Sequence, residues 1–258
     1  MSKTKKQLVN SVLRRLREDE LTSTQDIDSV PYAVMLGEFL NDVKEEVEDA
    51  WNWSQLRKIL TFSTSSGVTV YNIGDASAIN TQLTVADSDG NLFPLSSIEG
   101  YSTADASNEH SQILSMYNTN QDIMMKNMSD DFFNRVTYLG TTQNSDPTYW
   151  RTRGYDDQGD MNVEIYPVPN GVHDIKVWTY QPQDELSTDA SVLVLTSAER
   201  AILYGTWAMA ISERGEDGGQ LYDEIAKKYN DYLSTAIARD RAMYDSAVEG
   251  AEGDWVVV

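Results

Sequence analysis

The stretch Thr196-Ser-Ala-Glu199-Arg-Ala-Ile202-Leu-Tyr204-Gly-Thr-Trp207-Ala208-Met-Ala-Ile211-Ser-Glu-Arg-Gly215 decides the fold. Thr196 with Glu199 three residues on reads as a capping box, in which the hydroxyl satisfies an orphan helical N–H and the carboxylate reaches back. From Ser197 to Arg214 the spacing predicts a helix. Ile202, Tyr204, Trp207, Ala208 and Ile211 recur at three- and four-residue steps on one face. Gly215 suits the position just past a helix end, and Gly218-Gly219 a loop. A second helix is expected from about Gln220 to Tyr244, with Tyr222, Ile225, Tyr229, Tyr232 and Ala236 as a short coiled-coil-like seam. Two helices joined by a short glycine loop form an antiparallel hairpin. Neither buries its stripe alone, so both need a third element.

That element is sought near the N-terminus. Residues 5–20 read as a helix with Leu8, Val9, Val12, Leu13 and Leu16 on one face and Arg14, Arg15 and Arg17 on the other. Leu21 to Val30 is a polar linker, and Pro31 sits where a helix begins. A long helix follows to about Leu56, its outward side filled by Glu45, Glu46, Glu48 and Asp49. After Leu56 the period changes from 3.6 to 2. Strands are expected at 58–63, 68–71, 81–85, 111–117, 149–153, 161–166 and 174–180, the last two joined by Pro167-Val-Pro-Asn-Gly171. Residues 120–136 read as one or two short helices, Asp130-Asp131 opening the second. The expected class is α+β: a helical bundle from the N- and C-terminal segments, 1–57 and 196–246, with a β-rich insertion, 58–195, between them and an extended arm, 247–258.

Composition narrows the function. The 258 residues suffice for a proper core and include no cysteine, which removes disulfides, thiolate metal sites and a cysteine nucleophile. No apolar run approaches the roughly 20 residues of a membrane span, and the basic start is not followed by the apolar run of a signal peptide. A cytosolic chain, or one assembled from the cytosol, is expected. The net charge is −21, of which residues 61–195 carry −13. A basic footprint for nucleic acid is absent, so a specific grip on DNA or RNA is not expected. Such acidity serves solubility. It also suits a surface that must lie near DNA without adhering to it.

Catalytic signatures are missing. His110 and His173 stand in turn-like surroundings, at no metal-ligating spacing, and read as surface-loop residues. There is no GxSxG, Walker or GxGxxG motif. The acidic tip Asp87-Ser-Asp89-Gly-Asn91 has its glycine at position four instead of six and Ile98 at position twelve, so it reads as a plain turn and not a calcium loop. The tip Asp156-Asp157-Gln-Gly-Asp160 reads likewise, though either tip could hold a weak cation. Trp51, Trp53, Tyr166, Trp178, Tyr180, Trp207 and Tyr232 lie on expected apolar faces, as core or as interface anchors. Trp255-Val256-Val257-Val258 is an apolar hook after a Gly- and acid-rich stalk, suited to adding a strand or filling a pocket on a neighbour.

The stretch Leu40-Asn-Asp-Val-Lys-Glu-Glu-Val-Glu-Asp-Ala-Trp-Asn-Trp-Ser-Gln-Leu-Arg57 resembles the second helix of head-to-tail adaptor proteins of short-tailed phages, also called tail tubular or head-completion proteins. Asp146-Pro-Thr-Tyr-Trp150, Val163-Glu-Ile-Tyr-Pro-Val-Pro-Asn170 and Val177-Trp-Thr-Tyr-Gln-Pro-Gln-Asp-Glu-Leu186 resemble the β-rich part of the same group. The likeness spans roughly residues 5 to 245. It implies a non-enzymatic virion part at the head–tail interface, without cofactor, metal or catalytic residues. The implied assembly is a dodecameric ring between the portal and the tail nozzle, surrounding the DNA exit channel, with tail fibre as a further partner. Trp255 to Val258 would then dock into the portal. Two other readings stay open: another tail component, such as a nozzle or fibre-attachment subunit, and a metal-dependent hydrolase using the acidic turns.

Overall fold

In the computed structural model, the structure describes residues 2–73, 84–86, 92–94, 112–139, 144–155, 161–215 and 219–252. These divide into two compact units, one of residues 1–56 with 185–258 and one of residues 57–184.

The first unit begins at Thr4, whose hydroxyl accepts from Gln7 N while the Gln7 side chain accepts from Thr4 N, a closed capping box. Helix α1, Lys5–Leu16, ends where Arg17 turns left-handed at φ 60°. Pro31 opens α2, Pro31–Asp49, which stops seven residues short of the expected end; a 3-10 turn at Ser54–Leu56 follows. Helix α4, Glu199–Glu213, ends at Gly215 with φ 74°, as its position suggested. Helix α5, Gln220–Glu252, is the longest described. The capping box expected at Thr196 does not form. Thr196 Oγ1 instead accepts from Gln55 Nε2 at 3.0 Å, and Glu199 pairs with Lys3 at 2.6 Å. Both side chains are claimed by residues more than 140 positions away.

Leu8, Leu36, Leu40, Ala201 and Ile202 form the centre of this unit, all without solvent exposure. Two polar devices fix its register. Lys5 N donates to Ser191 O, and Leu193 N to Lys3 O, so the start of the chain lies along the segment that leads into α4. Asp240, 5% exposed, ties α5 to the end of α2: it accepts from Trp51 Nε1 at 3.0 Å, from Ser54 N at 3.1 Å and from the Ser54 hydroxyl. A buried carboxylate is tolerated only when its lone pairs are satisfied, and these donors do so.

The second unit is a curled sheet with strands β1 (Arg57–Ser63), β2 (Val70–Asn72), β3 (Thr84–Ala86), β4 (Leu92–Pro94), β5 (Gln112–Asn118), β6 (Ile123–Asn127), β8 (Tyr149–Tyr155), β9 (Met161–Tyr166) and β11 (Asp174–Tyr180). Their order among the described residues is β2-β9-β8-β6-β5-β11-β1-β3-β4. Neighbours are antiparallel apart from the parallel pair β6–β8. Two short strands, β7 (Asn144–Ser145) and β10 (Val168–Pro169), pair in parallel beside it. One face closes over Leu60, Phe62, Tyr71, Trp150, Val163 and Val177. Helix α3, Asp130–Leu139, belongs to this unit. Arg151 fastens it: the guanidinium meets Glu164 twice, at 2.7 and 3.0 Å, reaches Asp130 at 3.3 Å, and stacks 4.3 Å from the Phe133 ring.

The expected fold class is therefore corrected. The chain is not a helical bundle carrying a β insertion: five helices accompany an extended curled sheet with a closed core of its own. Alternating residues announced most of the strands. They could not announce the ladder β5-β11-β1, in which Ser115 faces Trp178 and Ile59 faces Trp178 from the other side. Those pairings join segments sixty and more residues apart, and periodicity carries no information at that range.

Candidate protein-interaction site

Within the helical unit, α2, α4 and α5 leave a groove of about 450 Å³. Phe39 and Val43 form one wall, Ala208 and Met209 the base, and Tyr222 and Tyr229 the opposite wall. Its shape follows from Gly205. A Cβ there would lie 2.5 Å from Val43 Cγ1 and 3.1 Å from Tyr229 Cε2, inside the ~3.5–4 Å of carbon–carbon contact. Only glycine lets these helices approach so closely. The Tyr229 hydroxyl donates to Glu46 Oε1 at 3.0 Å. Burial first, and then that carboxylate, hold the Tyr229 phenol well above the usual tyrosine range. Glu46, Ser212 and Glu213 stand exposed at the rim. The groove is thus an apolar slot rimmed by carboxylate acceptors, and it fits an apolar side chain that carries a single donor.

The sheet unit offers a second surface, on the face turned away from its core. Ile59 on β1 lies directly opposite Trp178 on β11, and Tyr117 on β5 opposite Met124 on β6. Tyr117 and Trp178 meet edge to face, with centroids 6.3 Å apart. Ile59 is 40% exposed and Met124 53%. The stripe crosses four strands. Aromatic residues partly open to solvent in this manner are the usual anchors of protein interfaces.

The residues singled out from the sequence fare differently. Trp255, Val256, Val257 and Val258 lie outside the described residues, as do His110 and the tips at Asp87–Asn91 and Asp156–Asp160. His173 corrects its expected surface position. It is 6% exposed, its N–H donates to Thr64 Oγ1 at 2.9 Å, and Nε2 lies 2.8 Å from Asn170 Oδ1 and 3.4 Å from Asp146 Oδ1. Among the described residues no group of three or more metal-ligating side chains converges. Trp53 and Trp150 are core, and Trp53 Nε1 donates to Val47 O at 2.8 Å. The basic face of α1 is engaged within its own unit, Arg14 with Glu20 at 2.7 Å and Arg15 5.5 Å above the Tyr204 ring. The groove escaped the sequence reading. Its one signal was Gly205 in the middle of an otherwise strong helix, where glycine costs about 1 kcal/mol against alanine and so has a packing reason.

Comparison with known families decides the class: the profile of the SU10 adaptor protein family matches residues 3–250. The chain belongs to this family. The match bears out the phage-adaptor resemblance carried by Leu40–Arg57 and the strand motifs. The adaptor is accordingly a structural phage protein and a virion component, of a family not known for enzymatic activity. No curated protein matches the chain. Among the described residues of the adaptor, no helix is long and apolar enough to cross a membrane.

Proposed function

We propose that this adaptor is the repeating subunit of a ring, a dodecamer, that joins the portal to the tail nozzle around the DNA exit channel at the head–tail interface. The observation that carries the reading is the family match over residues 3–250, on a chain whose two units each present a partly open apolar surface. Such surfaces on a structural protein are for contact with other chains. The charge supports the same reading. Residues 61–195 carry −13, and a wall of like charge lets a duplex slide without adhering. Assembly in the host cytoplasm belongs to the same reading. Four helices in one unit speak against a strand-dominated nozzle subunit.

The test is imaging by negative stain of the purified chain alone and of the chain mixed with portal rings. Rings of the adaptor on the portal are the expected result. A mixture in which the chain stays dispersed, or assembles while leaving the portal rings bare, overturns the reading.

A further inference from the structure

We infer that the α2–α4–α5 groove receives the Trp255–Val258 segment of a second copy of this chain, so that copies link head to tail. This rests on the self-assembling part of the reading above and supplies its contact.

Reach excludes the segment of the same chain. The groove meets α5 at Tyr222, Ala226 and Tyr229. Twenty-three residues of α5 separate Tyr229 from Glu252, the end of the helix, or about 34 Å at 1.5 Å per residue. Beyond Glu252, Trp255 extends at most about 10 Å and Val258 about 21 Å, even with the backbone fully stretched. Neither distance returns to the groove. An occupant with this sequence must come from another molecule.

The chemistry of the segment fits the slot. An indole is apolar over both faces and carries one N–H donor and no acceptor. The groove presents Phe39, Val43, Ala208 and Met209 to the ring and the carboxylates of Glu46 and Glu213 to the donor. Its 450 Å³ lies in the range that holds a large aromatic group with a neighbouring aliphatic one. Geometry then adds a consequence. A tail in a neighbour's groove is a heterologous contact: one surface on the donor meets a different surface on the acceptor. Repetition of such a contact gives a closed ring when the rotation per copy divides a full turn.

The native chain has no cysteine, which permits a direct test. The full chain carrying Ser212→Cys and Val256→Cys is treated with a short bis-maleimide linker, alone and with portal rings, and analysed by denaturing gel and peptide mass mapping. The expected result is a ladder of covalent dimers and higher species joined between residues 212 and 256. Ala208→Trp, which fills the groove, removes the ladder. Trp255→Ala, outside the helical core, lowers its yield at least about tenfold, as truncation of an aromatic anchor does. Linkage within one chain overturns the inference. So does linkage of residue 256 to the added portal in place of a second copy. Adaptor rings that form on the portal without any ladder sink the tail contact and leave the ring reading intact. Failure to form rings under either condition sinks both.

Discussion

Tyr229 keeps its proton past the pH at which an ordinary tyrosine loses it, because burial and the neighbouring Glu46 carboxylate both disfavour the phenolate. The consequence for stability has a definite sign. The folded phenol titrates above the unfolded one, so the native state holds more protons once the pH exceeds the usual tyrosine value of about 10. This contribution is complete below that value and is lost as pH rises through the folded pKa. Urea unfolding at pH 8, 9, 10 and 11 should therefore show stability falling over the last interval, and Tyr229→Phe should flatten that fall. An unchanged slope in the variant would show that the phenol is not buried. At this scale the sequence was least legible. Thr196 and Glu199 carry the capping-box spacing, yet Gln55 and Lys3 claim them. A capping box forms instead at Thr4 and Gln7, at the start of α1. Asp240 gave no sign of its tie to Trp51 and Ser54. A short-range pattern states what a side chain can do locally and is silent about a better partner brought in from elsewhere in the chain.

Elements were read better, and the departures have clear causes. The hairpin of α4 and α5 follows from its apolar spacing and from Gly215. Of the stripe expected on α4, Ile202 and Ile211 are buried but Tyr204, Trp207 and Ala208 only partly so, and Ala201, Leu203 and Thr206 outside it are buried. Burial around so wide an arc marks a helix packed on several faces. Gly205 is the extreme case and gives a prediction. Alanine there regains about 1 kcal/mol of helix propensity but overpacks the α2–α4 contact at a cost of about 1–3 kcal/mol. Val43 is β-branched on a helix and holds one rotamer, so it cannot swing clear. Gly205→Ala should lose up to about 2 kcal/mol net, read as a lower urea midpoint with unchanged slope. A gain in stability would mean that the two helices can separate without penalty. For the sheet, β9 and β11 matched their expected ranges, and residues 120–136 resolved into a strand followed by a helix opened at Asp130. The order of the strands stayed hidden, since each ladder is chosen by side-chain packing across the finished sheet.

For the molecule as a whole, charge and family were legible from the start and the surfaces were not. A net charge of −21 per chain opposes any contact between copies. Raising the salt from 0.1 to 1 M shortens the screening length from about 10 to about 3 Å. Self-association followed by sedimentation should therefore strengthen with salt. Weakening would show that ion pairs, not apolar anchors, hold the copies together. The division of the chain has a last consequence, for its birth on the ribosome. Helices α1 and α2 leave the exit tunnel long before the partners that cover them. Leu56 precedes Glu213, the end of α4, by 157 positions, which at about 5–20 residues per second is a wait of about 8–31 s. Throughout that interval the face bearing Leu36, Leu40 and Val43 has no α4 to meet, while the sheet encoded in between can already close over its own core. Nascent adaptor chains are thus born with a greasy helix in need of a temporary escort, and the order of translation makes the first fifty-six residues the last to find their place.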